Sequence, residues 1–176
     1  MCIRDRNGNY YNRFYFVHPD GAVQHYDKKH LFTFGGEHKR FTAGTERVVV
    51  NFRGVRILLE VCYDLRFPVW SRNLGDYDMI LYVASWPTPR VDAWSALLRA
   101  RAIENQCYVA GVNRMGTDPA CEYSGGSAII DPYGKTIAEC PWSRESAVSA
   151  DIDMEALQAF RKKFPVLDDA DPFTLI

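Results

Sequence analysis

The sequence predicts a single α/β domain, on three observations. Short β-branched and aliphatic runs alternate with stretches of helical periodicity along the chain. Hydrophobic residues make up 47% and charged residues 24%, the balance of a globular protein. The 176 residues supply one ordinary domain and are short for two. A chain of this size buries roughly 70% of the surface that its unfolded state exposes.

Tyr10 to Val17 alternates aromatic and polar residues as a strand does, and Pro19-Asp20-Gly21 then forms a turn. Ala22 to Tyr26 is the return strand. Lys28 to Gly44 reads as a polar loop that still carries Leu31, Phe32 and Phe34. Val48 to Phe52 and Val55 to Val61 flank Arg53-Gly54 as a second hairpin, apolar enough for a sheet core. A short helix is expected over Phe67 to Leu74, ended by Gly75.

Met79 to Ala84 is a compact apolar run, read as a buried strand. Asp92 opens a long helix to about Gln106, with Trp94, Leu97, Leu98, Arg101, Ala102 and Asn105 on one face. Cys107 to Val112 is a strand. Ser127 to Ile130 and Lys135 to Glu139 close over Asp131-Pro132-Tyr133-Gly134 as a hairpin. Ala147 to Ile152 is expected to be a last strand, and Asp153 to cap a helix from Met154 to about Phe164.

Charge and composition exclude several classes. The net charge of −1, from 21 basic and 22 acidic side chains, offers no electrostatic basis for binding nucleic acid or anionic lipid. No run of about 18 apolar residues suggests a membrane span. Cys2, Cys62, Cys107, Cys121 and Cys140 are an odd, scattered set without a C-x-x-C pair, which fits neither zinc nor a disulfide framework. His18, His25, His30 and His38 have no metal-ligand spacing, so no metal is expected. Ser124-Gly125-Gly126-Ser127 is too short for a phosphate loop.

Met1 to Arg6, Met-Cys-Ile-Arg-Asp-Arg, is similar to the translation of a transposon-end sequencing adaptor and lacks the apolar core of a secretory signal. Residues 1–6 are therefore expected to be an artefact and residues 7–176 the C-terminal part of one domain.

The chemistry concentrates in Leu58-Leu59-Glu60-Val61-Cys62-Tyr63-Asp64-Leu65-Arg66-Phe67-Pro68. An apolar strand runs into a cysteine, a tight turn and a short helix. Such a turn presents the thiol at a strand end beside backbone N–H groups, where a lowered pKa is expected and attack on a carbonyl or nitrile carbon is possible. An isolated cysteine after a strand is ordinarily structural; the polar, turn-forming flank argues otherwise.

This segment resembles the nucleophile motif of the nitrilase superfamily of carbon–nitrogen hydrolases, and Cys-Tyr-Asp-Leu-Arg-Phe-Pro is similar to its omega-amidase branch. Tyr26-Asp27-Lys28-Lys29-His30-Leu31 resembles the family's lysine motif, with Asp27 where an Arg is usual. Pro68-Val69-Trp70-Ser71-Arg72-Asn73, Ala84-Ser85-Trp86-Pro87 and Arg99 to Gln106 look like the same branch.

The resemblance implies a four-layer αββα sandwich, here lacking its first strand–helix portion. It also implies a cytoplasmic homodimer when full length. The expected reaction is cysteine-dependent hydrolysis of the terminal amide of 2-oxo-dicarboxylic acid monoamides (2-oxoglutaramate, 2-oxosuccinamate) through a thioester, with amide and water as the small-molecule partners. Cys62 is then the nucleophile. Lys28, aligned on His30-Leu31, and the Tyr63 backbone N–H serve the oxyanion, and Glu37 positions lysine or substrate. Trp86 and Arg90 are weaker candidates for lining the pocket and pairing a substrate carboxylate. Arg101 and Glu104, at helical i, i+3 spacing, read as a structural bridge.

The family's general base is a glutamate in an N-terminal Pro-Glu segment that matches nothing here, so the chain as written is expected to be inactive or nearly so. Alternatives are a carbamoylase, aliphatic amidase or nitrilase of the same superfamily, or a catalytically dead scaffold subunit. Retention of both Lys28 and Cys62 counts against the last.

Overall fold

The computed structural model describes residues 2–4 as backbone, and residues 7–174. Met1, Asp5 and Arg6 of the adaptor-like hexapeptide lie outside the described residues. Strand β1 (Cys2–Arg4) pairs antiparallel with β2 (Tyr10–Val17), which pairs with β3 (Val23–Asp27).

The second sheet has six strands: β4 (Val49–Phe52), β5 (Val55–Val61), β6 (Met79–Ala84), β7 (Tyr108–Asn113), β10 (Ala128–Ile130) and β11 (Thr136–Glu139). Their order is β11-β10-β7-β6-β5-β4, with β5, β6 and β7 mutually parallel and the flanking strands antiparallel. Ile57 to Val61 are all buried, as a strand covered on both faces requires.

Alternation sorts β5 between two cores. Leu58 packs with Ile80, Val109, Trp94 and Leu98 beneath helix α2 (Val91–Glu104). Ile57, Leu59 and Val61 face the other way, onto Tyr26, Phe14 and Phe16 of the three-stranded sheet. The described layers are therefore helix, sheet, sheet. Helix α3 (Met154–Lys163) starts where Asp153 accepts the Ala156 N–H at 2.8 Å. Arg161 anchors it, donating to Gln106 O and Tyr77 O and pairing with Asp78.

Two expectations need correction. The helix expected over Phe67 to Leu74 is a five-residue 3-10 turn, Cys62–Arg66, followed by the single α-turn α1 (Pro68–Ser71). Asn73 diverts the chain there: its side chain bonds Tyr77 O and Asn105 O and accepts the Gly75 N–H. Ala147 to Ile152 forms no strand; four of its six residues are exposed and no ladder receives it. The reading also missed a small hairpin, β8 (Met115–Thr117) with β9 (Glu122–Ser124), whose strands are too short to show a pattern.

Candidate active site

Cys62, the 3-10 turn after β5, the Ser85-Trp86-Pro87 segment after β6 and Asn113 at the end of β7 gather where the parallel strands end. This carboxyl edge is where open α/β sheets bind ligands. The lysine loop after β3 closes the site from the three-stranded sheet. A cavity of about 680 Å³ results, and Lys28, Glu37, Cys62, Tyr63, Trp86 and Arg90 all line it.

Cys62 takes a left-handed backbone conformation, φ 50°, a strained geometry for a residue with a Cβ. Its thiol lies 3.8 Å from the Ser85 carbonyl. The sequence reading expects a lowered thiol pKa, and the structure reverses it. Burial pushes the Cys62 thiol up, and the nearby Lys28 charge only partly offsets this. A thiol in this state needs a base to ionise.

Lys28 is 2% exposed, and its ammonium donates to Glu37 Oε2 at 2.6 Å. Glu37 reaches back nine residues because Gly36, at φ 75°, joins two 3-10 turns, Thr33–Gly35 and Glu37–Lys39, in a left-handed kink. Burial raises the Glu37 pKa, but hydrogen bonds from Lys28, the Phe32 N–H and Asn12 outweigh it and hold the carboxyl below its usual range. Among the described residues lining the cavity, Glu37 is the sole carboxylate.

Asp64 ties the two segments together. Its buried carboxylate accepts from Tyr26 Oη at 2.9 Å, the Val61 N–H at 3.1 Å, and both the N–H and ring Nδ1 of His30. His30 stacks on Phe67 with centroids 3.8 Å apart, so it is a structural member of its motif. Asp27, at the position where the motif usually carries Arg, forms a two-pronged pair with Arg13 at 2.6 and 2.7 Å. Arg101 donates to Glu104 and to Leu65 O, bracing the Cys62 turn from helix α2.

Trp86 is held by Asn113, which accepts its N–H at 2.7 Å and donates to its carbonyl at 2.9 Å. The Trp86 indole N–H donates to Arg90 O, so the ring offers the cavity an apolar wall. Arg66 and Arg90 also line the cavity, over the rings of Trp86 and Phe32 at 5.0 and 5.5 Å. Neither is among the ion pairs of the described residues.

Sequence reasoning missed Asn12, Arg66 and Asn113. The polar Asn12 within an aromatic-rich strand was a legible signal. Arg66 and Asn113 carry none outside their motif and strand.

The carbon-nitrogen hydrolase family model matches residues 1–162. Omega-amidase YafV of Escherichia coli (strain K12) is 55% identical over 165 residues, covering 93% of this chain and 64% of the relative. The 2-oxoglutaramate amidase of Bacillus subtilis (strain 168) is 40% identical over 167 residues, covering 93% and 64%. The chain thus spans just under two thirds of these relatives' length. Among solved structures, XC1258 from Xanthomonas campestris superposes with a TM-score of 0.95 at 46% identity, over 99% of this chain and 69% of that one. XC1258 is described as a CN-hydrolase superfamily protein with an arsenic adduct in its active site. A cysteine on a strained strand-end turn, a buried lysine–glutamate pair and these matches agree: the chain belongs to the carbon–nitrogen hydrolase family, within the nitrilase superfamily.

Proposed function

We propose that the protein is an amidase releasing ammonia from the omega-amide of a 2-oxo-dicarboxylic acid, 2-oxoglutaramate or 2-oxosuccinamate, with Cys62 as nucleophile. The observation that carries this reading is the shared cavity in which Cys62 meets the buried Lys28–Glu37 pair. The naming of its relatives as omega-amidase and 2-oxoglutaramate amidase supports the substrate.

On this reading the Cys62 sulfur attacks the amide carbon, and the carbonyl oxygen takes negative charge. The Lys28 ammonium and the Tyr63 N–H stabilise that oxygen; Tyr63 is the second residue of the 3-10 turn, where backbone N–H groups lack an intrahelical acceptor. The C–N bond breaks, ammonia leaves with the proton taken from the thiol, and an acyl-thioester remains. Water then hydrolyses the thioester to the acid and regenerates the thiol.

Glu37 is an unsuitable proton shuttle, being engaged by three donors and held as an anion. On the family resemblance the base is proposed to be a glutamate that these 176 residues do not include, so they alone should turn over poorly. The whole protein is proposed to be a cytoplasmic homodimer that needs no cofactor.

The substrate's carboxylate is proposed to meet Arg66 and Arg90. With Lys28 balanced by Glu37, these two guanidiniums leave the cavity lining net positive, which favours an acid over a neutral amide or nitrile. The test is ammonia release from 2-oxoglutaramate by the chain joined to its upstream reading frame, beside C62S. Activity lost in C62S is expected. A neutral primary amide hydrolysed equally well would overturn the substrate assignment.

A further inference from the structure

On β2 the residues sharing one face are Asn12, Phe14 and Phe16, by alternation. Phe14 and Phe16 pack into the core between the sheets, whereas Asn12 lines the cavity of Cys62. A polar side chain in line with two core aromatics requires a partner, and that of Asn12 has one: its Nδ2 donates to Glu37 Oε1 at 2.9 Å, while the Asn12 backbone carbonyl accepts the Lys28 N–H at 2.9 Å.

The division of labour at Glu37 is the telling feature. Oε2 takes both the Lys28 ammonium and the Phe32 N–H, while the hydrogen bond at Oε1 comes from Asn12. Without Asn12 the carboxylate loses the hydrogen bond at Oε1 and is held through Oε2 alone, so rotation about its Cγ–Cδ bond is less constrained and the ammonium follows it. Small displacements of a positioned charge carry large rate penalties.

We propose that Asn12 is a positioning residue that locks Glu37 by its second oxygen and Lys28 by its backbone, so that the ammonium stays directed at the Cys62 site. The inference rests on the reading of Cys62 as nucleophile and Lys28 as its electrostatic partner. It needs no substrate, which separates its test from that of the amidase assignment.

The experiment is alkylation of Cys62 by iodoacetamide across pH, read on the Cys62 peptide by mass spectrometry, in the 176-residue chain. Wild type, N12A, N12D and K28M are compared, with N12A also placed in the K28M background. N12A should alkylate about three-fold more slowly near pH 8, equivalent to about half a pKa unit. N12D, nearly isosteric and carrying the test if N12A does not fold, should be slower still, because it sets a second carboxylate against Glu37. In the K28M background N12A should add nothing, since its effect passes through Lys28.

Profiles of N12A and N12D that superimpose on wild type would overturn the proposal, even with a lowered Tm, because that is the signature of a merely structural asparagine. So would an equal slowing by N12A with and without Lys28.

Discussion

Asp64 and His30 are bound to each other twice: the carboxylate accepts from the His30 backbone N–H at 2.9 Å and from its ring Nδ1 at 2.8 Å. His30 stands two residues after Lys28 and Asp64 two residues after Cys62. One buried carboxylate thus fastens the lysine loop to the Cys62 turn, and Tyr26 and Val61 donate to it as well. The relative position of Lys28 and Cys62 is a property of this clamp.

Replacing Asp64 by Asn should therefore be severe. The amide NH2 replaces one carboxylate oxygen and turns a donor toward two of the four groups that donate to Asp64, at a cost of about 2–4 kcal/mol for a buried, charge-assisted network. Urea unfolding of D64N, with an unchanged slope and a lower midpoint, is the check.

The Cys62 thiol provides a second prediction. Burial raises its pKa and Lys28 opposes the rise, so wild-type Cys62 should react with iodoacetamide slowly at neutral pH and faster as pH increases. K28M removes the opposing charge and should move the inflection further up. An inflection below that of an ordinary free thiol would refute this picture.

Glu60 predicts a pH-dependent stability. Burial, then the Asp64 charge, push its pKa from 4.5 to about 8, with Ser71 Oγ donating to it at 3.0 Å. Between these two values the folded state keeps a proton that the unfolded chain releases. Stability should therefore be full below pH 4.5 as far as Glu60 is concerned, and should fall as pH rises toward 8, by at most about 1.4 kcal/mol per pH unit. E60Q, neutral at every pH, should flatten that decline. Unfolding free energies of both proteins at pH 5, 6.5 and 8 decide it.

Gly111 carries a packing prediction. A Cβ there would lie 2.6 Å from Leu98 Cδ1 and 2.7 Å from Trp94 Cζ2, so this glycine lets α2 approach β7. G111A should cost about 1–3 kcal/mol by overpacking. Its thermal midpoint should drop, and the near-ultraviolet signal of the Trp86–Trp94 pair, 5.5 Å apart, should change with it.

Arg66 and Arg90 give the fifth. On the proposed substrate, R66A and R90A in the upstream-extended chain should raise KM for 2-oxoglutaramate while leaving hydrolysis of a neutral amide little changed. Equal losses on both substrates would point to a structural role instead.

Much of this molecule was legible before any coordinates. Val55–Val61 and Met79–Ala84 were read to the residue, because an apolar run bounded by turn residues specifies a buried strand locally. The Asp153 cap was equally plain, since capping is a contact within one turn. Ala147 to Ile152 failed for the opposite reason: strand propensity needs a neighbour, and none receives it. The helix after Cys62 failed because Asn73 redirects the chain through distant backbone groups at Tyr77 and Asn105.

By itself the sequence determined which residues are the candidates for chemistry, since Cys62, Lys28 and Glu37 stand in segments whose resemblance to the family's motifs is written in residue types and spacing. Tertiary structure alone decided their state. The thiol's raised pKa comes from burial at the cavity, the fixed Glu37 anion from Lys28, the Phe32 N–H and Asn12, and the join between the lysine loop and the Cys62 turn from Asp64. Desolvation and long-range hydrogen bonds depend on which surfaces meet, and no local pattern of residues records that.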